Sequence, residues 1–267
     1  MTPAQLRQRF ADLHRRDDVF VMPNPWDVGS AVLLAHAGFE ALATTSAGLA
    51  WSLGKDDQEV TLDELVEHTR RLVAAVDVPI NVDSERCFAD DVEGVAATVR
   101  MLHEAGAAGC SIEDYDPATG SIDPIGLATE RVAAAAEAAH RGEDPMVLTA
   151  RCENLLYGID DLDAVIARLV AYRDAGADCL YAPGLATVEQ ISAVVDAVQA
   201  PVNVLAWPNG PTVDEIGQAG ARRVSVGGAI ASHAYASAIA AARELLEHGT
   251  TTFRSTSLRA DDRAAFG

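Results

Sequence analysis

The sequence lacks any long, uninterrupted apolar stretch. No segment approaches the roughly 18 to 20 apolar residues that a membrane-spanning helix needs, although 49% of the residues are hydrophobic. The N-terminal segment 1–16 has a polar amphipathic pattern without the apolar core of a secretory signal. The four cysteines form no closely spaced pairs, which disfavours a zinc framework and a disulfide scaffold. We therefore expect a cytoplasmic globular protein.

Positive charge is also scarce. The chain has 20 lysines and arginines against 40 aspartates and glutamates, which gives a formal net charge of −20. Nucleic acids and anionic membranes both bind basic surfaces, so we expect neither as a partner. A small anionic substrate is not excluded, because repulsion is screened over about 10 Å at physiological salt. A local arginine or metal ion can then reverse the potential inside a cleft.

The sequence has no linker-like or low-complexity segment, and we predict one domain over residues 1–267. Ala-Gly dipeptides such as Ala37-Gly38 end helix-like segments, and prolines such as Pro79 precede strand-like ones. These signals delimit eight short apolar runs: Val19–Met22, Ala41–Thr45, Ile80–Asp83, Gly109–Glu113, Met146–Arg151, Cys179–Ala182, Val202–Leu205 and Arg223–Val226.

Eight strand–helix alternations predict an α/β fold, a (β/α)8 TIM barrel with an additional N-terminal helix. The runs are continuous rather than alternating, as in parallel strands covered on both faces. The segments between them have the 3.6-residue periodicity of amphipathic helices. A doubly wound open sheet is the alternative. It usually has a glycine-rich first turn, which segment 23–27 (PNPWD) does not provide.

The active site of such a barrel lies at the carboxyl ends of its strands, and three acids follow neighbouring predicted strands there. Asp83 ends the third run and Glu85 follows two residues later, where continued strand alternation would direct both side chains to one side. Glu113 ends the fourth run. Three converging carboxylates would repel one another unless a hard divalent ion such as Mg²⁺ or Mn²⁺ bound them. Arg151, at the end of the fifth run, would bind a substrate carboxylate through its fixed fork of donors. The alternative is that Asp83, Glu85 and Arg151 form structural ion pairs.

The small residues Ser46, Ala47 and Gly48 follow the second run. Their backbone N–H groups are candidates to bind an oxyanion. The same triplet is equally compatible with a simple turn of small residues, and this signal alone does not decide between the two.

These residues resemble the isocitrate lyase and phosphoenolpyruvate mutase superfamily, and the resemblance extends from about Phe20 to Ala242. It is carried by a set of short motifs: Met22–Asp27 (MPNPWD), Thr44–Gly48 (TTSAG), Pro79–Glu85 (PINVDSE), Glu104–Gly109 (EAGAAG), Ser111–Asp114 (SIED) and Thr149–Arg151 (TAR).

The resemblance implies a Mg²⁺-dependent enzyme that cleaves or forms a bond next to a 2-oxo acid, through a pyruvate-like enolate held by the metal and an oxyanion pocket. It assigns the substrate carboxylate and the enolate oxygen to Ser46, Ala47 and Gly48. It assigns Mg²⁺ (or Mn²⁺) to Asp83, Glu85 and Glu113, directly or through water, and substrate binding to Arg151. We expect Arg151 and Glu113 to act in catalysis. The resemblance also suggests a homotetramer.

Four features depart from the family pattern. Methylisocitrate and isocitrate lyases carry a Lys-Lys-Cys-Gly-His loop after the fourth strand, whereas segment 115–121 (YDPATGS) has no cysteine. The asparagine-containing loop of the phosphonate branch is also absent. The Gly-Tyr-Gly-like turn after the third-strand acids is replaced by Arg86–Ala89, and Phe-Pro-Glu at strand six by Ala182–Gly184. The chain is therefore similar to methylisocitrate lyase but has a divergent catalytic loop.

Three functions remain open from the sequence. The first is a lyase that cleaves a C–C bond of a small 2-oxo acid or related dicarboxylate. The second is an enzyme of P–C bonds that acts on a phosphonate such as phosphonopyruvate. The third is a barrel that binds 2-oxo acids without turning them over, because its acid/base loop is missing.

Overall fold

The computed structural model describes residues 1–267 and contains ten strands and eleven α-helices. The strands are β1 (Phe20–Val21), β2 (Leu42–Ala43), β3 (Ile80–Asp83), β4 (Gly109–Glu113), β5 (Tyr115–Asp116), β6 (Ser121–Ile122), β7 (Val147–Arg151), β8 (Cys179–Tyr181), β9 (Val202–Leu205) and β10 (Arg223–Ser225). The helices are α1 (Pro3–Arg15), α2 (Val28–His36), α3 (Ser46–Ser52), α4 (Leu62–Ala75), α5 (Val92–Glu104), α6 (Ile125–Ala139), α7 (Leu162–Asp174), α8 (Val188–Val198), α9 (Val213–Gln218), α10 (Ala229–His248) and α11 (Ala260–Arg263).

Eight of the strands form one parallel sheet, in the order β1-β10-β9-β8-β7-β4-β3-β2. The two ends of this sheet meet where the amide of Ala43 donates to the carbonyl of Pro23 at 3.1 Å. Asn24 strengthens this seam, because its Nδ2 donates to the carbonyl of Thr44 and its Oδ1 accepts from the amides of Val226 and Gly227. The predicted (β/α)8 barrel with an N-terminal helix is confirmed.

The observed strands are shorter than several of the predicted runs. The second run, predicted over Ala41–Thr45, is a strand only over Leu42–Ala43, because Thr45 is already the N-cap of α3 and its hydroxyl accepts from the amide of Gly48. The sequence also gave no indication of the hairpin β5–β6. That hairpin is antiparallel, pairs Tyr115 with Ile122, and lies outside the barrel sheet.

Helix α1 closes the amino-terminal end of the barrel. Phe10 and Leu13 of this helix pack in an apolar cluster with Phe20, Met22 and small residues of the neighbouring strands. His14 lies beside them, with Nδ1 2.8 Å from the carbonyl of Phe10 and Nε2 3.0 Å from Nη1 of Arg223. Because an arginine can only donate, Nε2 must accept and the imidazole must be neutral.

Helix α10 is unusual among the long helices because only Ala231 of its 20 residues is buried. Its most exposed large apolar side chains are Ile239 and Leu245 at 53% and Leu246 at 86%. No helix of the protein combines the length and the apolarity that a membrane crossing needs.

The buried His14 makes the stability of the fold depend on pH. Burial, together with the nearby Arg223 charge, lowers the pKa of His14 to about 3, whereas a histidine in an unfolded chain titrates near 6.5. Below about pH 6.5 the unfolded chain therefore binds a proton at His14 that the folded protein does not. The contribution of His14 to the free energy of unfolding is fully present above pH 6.5 and is lost as the pH falls toward 3. Between about pH 7.5 and about pH 5, wild type should lose about 2 kcal/mol more unfolding free energy than His14→Gln.

Urea denaturation at the two pH values measures this difference. The exposed His36 at the end of α2 supplies the control, and His36→Gln should keep the wild-type pH dependence. Equal pH dependence of wild type and His14→Gln would contradict the assignment of a neutral, buried imidazole.

Candidate active site

A polar cavity of about 170 Å³ opens at the carboxyl ends of the barrel strands. Four of the predicted site residues line it: Ser46, Ala47, Asp83 and Arg151. Gly48, Glu85 and Glu113 do not line it, although all three are buried. The structure therefore brings the predicted residues to one end of the barrel but distributes them between the cavity wall and the layer behind it.

Arg151 is the centre of this end of the barrel. Its Nη1 lies 2.7 Å from Oδ1 of Asp83 and 3.2 Å from Oε2 of Glu113, and its Nε lies 2.8 Å from Oε1 of Glu153. Burial opposes the charge of this guanidinium, but Glu153, Asp83 and Glu113 together raise its pKa well above the usual value. Asp83 and Arg151 therefore form the ion pair that the sequence left open as an alternative to a metal site. Glu113 contacts the same Arg151 nitrogen.

Asp83 ends β3 and is held by contacts from two neighbouring strands. The hydroxyl of Thr44 accepts from its backbone amide at 2.8 Å, and the hydroxyl of Ser111 donates to its Oδ1 at 3.3 Å. Its other carboxylate oxygen, Oδ2, accepts from the amide of Ser46 at 3.2 Å. The carboxylate is thus fixed between Arg151 and the first turn of α3.

Glu85 does not follow the strand alternation that the sequence suggested. The strand ends at Asp83, and Glu85 has a φ of 47°, followed by φ values of 60° at Cys87 and 52° at Phe88. Left-handed backbone at residues with a side chain is strained and is found often at functional sites. Burial first, and then the charges of Asp83 and Asp57, raise the pKa of Glu85 to about 8.

A buried arginine holds this strained segment from behind. Nη2 of Arg131, in α6, donates to the carbonyls of Arg86 and Ala89 at 2.7 and 2.8 Å, and its Nη1 donates to that of Asp90 at 3.1 Å. Arg86 in turn forms a two-point contact with Asp123. The position of Glu85 therefore depends on α6 and on the segment after the hairpin.

Glu113, at the end of β4, is fully enclosed. Its backbone amide donates to the carbonyl of Glu85 at 3.0 Å, and its Oε1 accepts from Gln58 at 3.4 Å. Burial raises the pKa of this carboxyl well above its usual value, although Arg151 opposes the shift. Burial therefore favours the neutral form of Glu113, and the Arg151 guanidinium is the neighbouring group that favours its charged form.

The sequence reasoning missed Asp57, which lines the cavity but lies in the loop after α3 rather than at a strand end. Burial raises its pKa, against a hydrogen bond from the side chain of Ser46, and the charge of Asp83 raises it further. Tyr181 was also missed. Its ring centroid lies 5.3 Å from Cζ of Arg151, and burial is the main reason that its pKa is raised to about 12.

The first turn of α3 contributes backbone amides to the cavity. Ser46 and Ala47 face it, and amides in the first turn have no partner inside their own helix. Gly48 has a packing role, because a side chain there would place its Cβ 2.6 Å from Cγ2 of Thr45 and 2.9 Å from Cβ of Trp26. Its amide donates to the capping Thr45 rather than to the cavity.

The balance of charge at this end of the barrel fits a hard divalent cation. Five carboxylates lie here (Asp57, Asp83, Glu85, Glu113 and Glu153), and burial raises the pKa of Asp57, Glu85, Glu113 and Glu153. Arg151 is the one guanidinium that contacts this group. No three His, Cys, Asp or Glu side chains converge as a preassembled metal site, because Nη1 of Arg151 lies between Asp83 and Glu113. The oxygen donors and the excess of negative charge nevertheless match what Mg²⁺ and Mn²⁺ bind.

No cysteine occupies the place of the missing loop cysteine. All four thiols are free and buried, and burial raises the pKa of Cys87 to about 12 and also raises that of Cys110, Cys152 and Cys179. A nucleophilic or basic cysteine needs a stabilised thiolate. The segment after β4 forms the hairpin instead, with the Tyr115 ring stacked on that of Tyr157 at 3.8 Å.

Comparison with known proteins gives this geometry a context. Residues 10–246 match the family model of phosphoenolpyruvate phosphomutase. An oxaloacetate decarboxylase from Paraburkholderia xenovorans is 35% identical over 77% of this chain and 70% of its own length. A 2-methylisocitrate lyase from Escherichia coli is 31% identical over 64% of this chain and 60% of its own length.

A solved structure shares both fold and sequence with the chain. A proposed lyase/mutase from Burkholderia cenocepacia J2315 superposes with a TM-score of 0.95 at 48% identity, over 99% of this chain and 96% of that one. With the matched family model and the strand-end acids in place, the chain belongs to the phosphoenolpyruvate mutase family, within the isocitrate lyase/phosphoenolpyruvate mutase superfamily, and is an enzyme of the lyase type.

Proposed function

We propose that the protein is a Mg²⁺-dependent lyase that cleaves a C–C bond of a small 2-oxo acid or related dicarboxylate through a pyruvate-like enolate. The observation that carries this proposal is the cavity in which Asp83 and Arg151 face the first turn of α3. A cationic fork, backbone amides and a carboxylate for a metal ion are the groups that stabilise negative charge developing on an oxygen.

Each of the predicted site residues has a role in this proposal. The amide of Ala47 binds the substrate carboxylate and the enolate oxygen, together with the amide of Ser46 once the substrate replaces its contact with Asp83. Gly48 lets Trp26 and Thr45 pack against their turn. Arg151 binds the substrate and neutralises Glu113. Asp83, which lines the cavity, would hold Mg²⁺ directly, with Glu85 and Glu113 behind it ligating through water. The bound ion would act as a Lewis acid toward the oxygen on which charge develops.

A substrate screen tests the proposal. The metal-free protein, prepared with a chelator, is assayed with oxaloacetate, methylisocitrate, isocitrate and phosphonopyruvate, before and after addition of Mg²⁺ or Mn²⁺. We expect turnover of a C–C substrate that falls at least about a hundredfold without metal, since Lewis-acid stabilisation contributes several kcal/mol. Turnover of phosphonopyruvate alone would indicate a P–C enzyme, and binding without any turnover would indicate a non-catalytic barrel.

Arg151→Lys separates substrate binding from a purely structural ion pair. Lysine supplies charge but cannot contact Asp83 and Glu153 through two separate nitrogens as Arg151 does. We expect kcat/KM for the 2-oxo acid to fall by well over tenfold, or about 1.4 kcal/mol. Steady-state kinetics and calorimetric binding to the folded variant measure the effect.

The matched control is Arg7→Lys at the opposite end of the barrel. Arg7 is also buried and pairs with Asp144, so this variant should lose stability without losing affinity for substrate. If Arg151→Lys behaves in the same way, with a lower melting temperature and wild-type affinity, Arg151 is only a structural ion pair.

We also propose that the chain assembles into a homo-oligomer, as the resemblance to tetrameric lyases suggested. The supporting observation is the exposure of Ile239, Leu245 and Leu246 on α10, because clustered exposed apolar side chains are typical of protein interfaces. Cytoplasmic location and a single domain over residues 1–267 remain predictions of the sequence.

Light scattering coupled to size exclusion measures the assembly. Wild type should elute as a multiple of the 28.1 kDa chain, and Leu246→Glu should shift the equilibrium toward a smaller species, because a charge is costly to bury in an apolar interface. Ile125→Glu, at an exposed position on α6, is the control and should leave the mass unchanged. A monomeric wild type would contradict the proposal.

A further inference from the structure

The floor of the active-site cavity contains a second arginine with a different environment. Arg223 lies on β10, is 2% exposed, and lines the same cavity as Asp83 and Arg151. Its guanidinium donates to three neutral acceptors, Oδ1 of Asn203 at 3.0 Å, Oγ1 of Thr149 at 2.8 Å and Nε2 of His14 at 3.0 Å. An arginine has five N–H donors, so two remain for another partner.

No carboxylate balances this charge. None of the ion pairs of the protein includes Arg223, whereas Arg151 at the top of the cavity contacts three acids. Burial lowers the pKa of Arg223, but a guanidinium remains protonated at neutral pH even when it is enclosed. The Arg223 guanidinium at the floor of the cavity therefore carries a buried positive charge without a counter-ion. Such a charge attracts anions.

The neighbouring groups hold this guanidinium in place without neutralising it. His14 is neutral because its Nδ1 is bonded to the carbonyl of Phe10 and its Nε2 accepts from Arg223. Asn203 is itself fixed, since its Nδ2 donates to Oγ of Ser225 at 3.0 Å. The fork of Arg223 is thus preorganised by partners on α1, β7 and β9.

A second buried group at the floor also lacks a partner. The side-chain carbonyl of Asn81 is enclosed and accepts no hydrogen bond, and Asn81 is 3% exposed and lines the cavity. Buried polar groups are almost always hydrogen-bonded, so an unpartnered amide oxygen in the same cavity as an uncompensated cation indicates a ligand or water at this site. Because the two ends of an asparagine amide are assigned from their contacts, Asn81 can offer either a donor or an acceptor to that ligand.

We propose that Arg223 and Asn81 form an anion subsite at the floor of the cavity, specific for a compact monoanion of the size of a carboxylate. Two sources share this chemistry: a free small anion, and one carboxylate of a dicarboxylate substrate whose other end lies at Ser46 and Arg151. The second source rests on the proposed function, and the first does not. The subsite selects acids that carry a second negative charge, because Arg223 is a second cation in the same cavity and no carboxylate of the protein pairs with it.

Direct binding of small anions tests the subsite in the wild-type protein. Crystals soaked in sodium bromide should show an anomalous peak within hydrogen-bonding distance of the Arg223 guanidinium, and sodium formate should raise the melting temperature in a saturable manner. Absence of bromide at Arg223 would overturn the proposal. This measurement needs no variant, so it does not depend on how well a substituted protein folds.

Variants then assign the thermal effect to Arg223. Arg223→Met removes the charge and should abolish the stabilisation by formate. Arg223→Lys keeps the charge and should retain part of the stabilisation by formate. This variant provides the test if the Met variant fails to fold. The matched control is Arg222→Met, because Arg222 is the adjacent residue but points outward, where it contacts Asp17. If formate stabilises Arg223→Met and Arg222→Met equally, the subsite is not at Arg223.

A comparison of ligands distinguishes the two sources. Calorimetry measures the binding of malonate, a dicarboxylate, and of pyruvate, a monocarboxylate, to wild type and to Arg223→Met. A loss of at least about tenfold for malonate, with unchanged pyruvate binding, assigns the subsite to the second carboxylate of the substrate. Equal binding of malonate to both proteins assigns it to free anions alone. Neither result requires turnover, so failure of the lyase activity would not be mistaken for failure of the subsite.

Discussion

The concentration of buried carboxylates around a single guanidinium is the constraint on which this end of the barrel depends. Asp83, Glu113 and Glu153 all contact Arg151, and each carboxylate would be costly to enclose without it. Removing one partner of such a group leaves an unpaired charge in a low-dielectric interior. The backbone contacts at Ser46 and the enclosure of Glu113 therefore belong to the same electrostatic arrangement.

The positions of the acids could be predicted because a parallel barrel collects the carboxyl ends of its strands at one face. Asp83, Glu113 and Arg151 follow this rule and lie together. Glu85 could not be placed in the same way, because the strand ends before it and its backbone turns left-handed. The rule does not cover Asp57, because it lies in the loop after α3 rather than at the end of a strand.

The environment of Arg223 could not be predicted from the sequence. Arg223 lies in a short run with the pattern of a buried strand, for which we expect apolar packing on both faces. Nothing in the spacing indicates that its side chain enters the barrel, or that its partners Asn203 and Thr149 on other strands are neutral. The electrostatic character of a barrel interior depends on which residues of non-adjacent strands share a layer, and this is set by register rather than by local pattern.

The seam at Asn24 has a consequence for biosynthesis. The amides that its side chain binds, those of Val226 and Gly227, lie about two hundred residues further along the chain. Contacts of such long sequence separation form late, because the intervening chain must be ordered first. During synthesis the N-terminal half emerges long before the last strand, so β1 and the cavity beside it have no partner on that side until β10 has left the ribosome. The nascent protein therefore exposes an unpaired sheet edge for most of its translation, and unpaired edges are prone to aggregation.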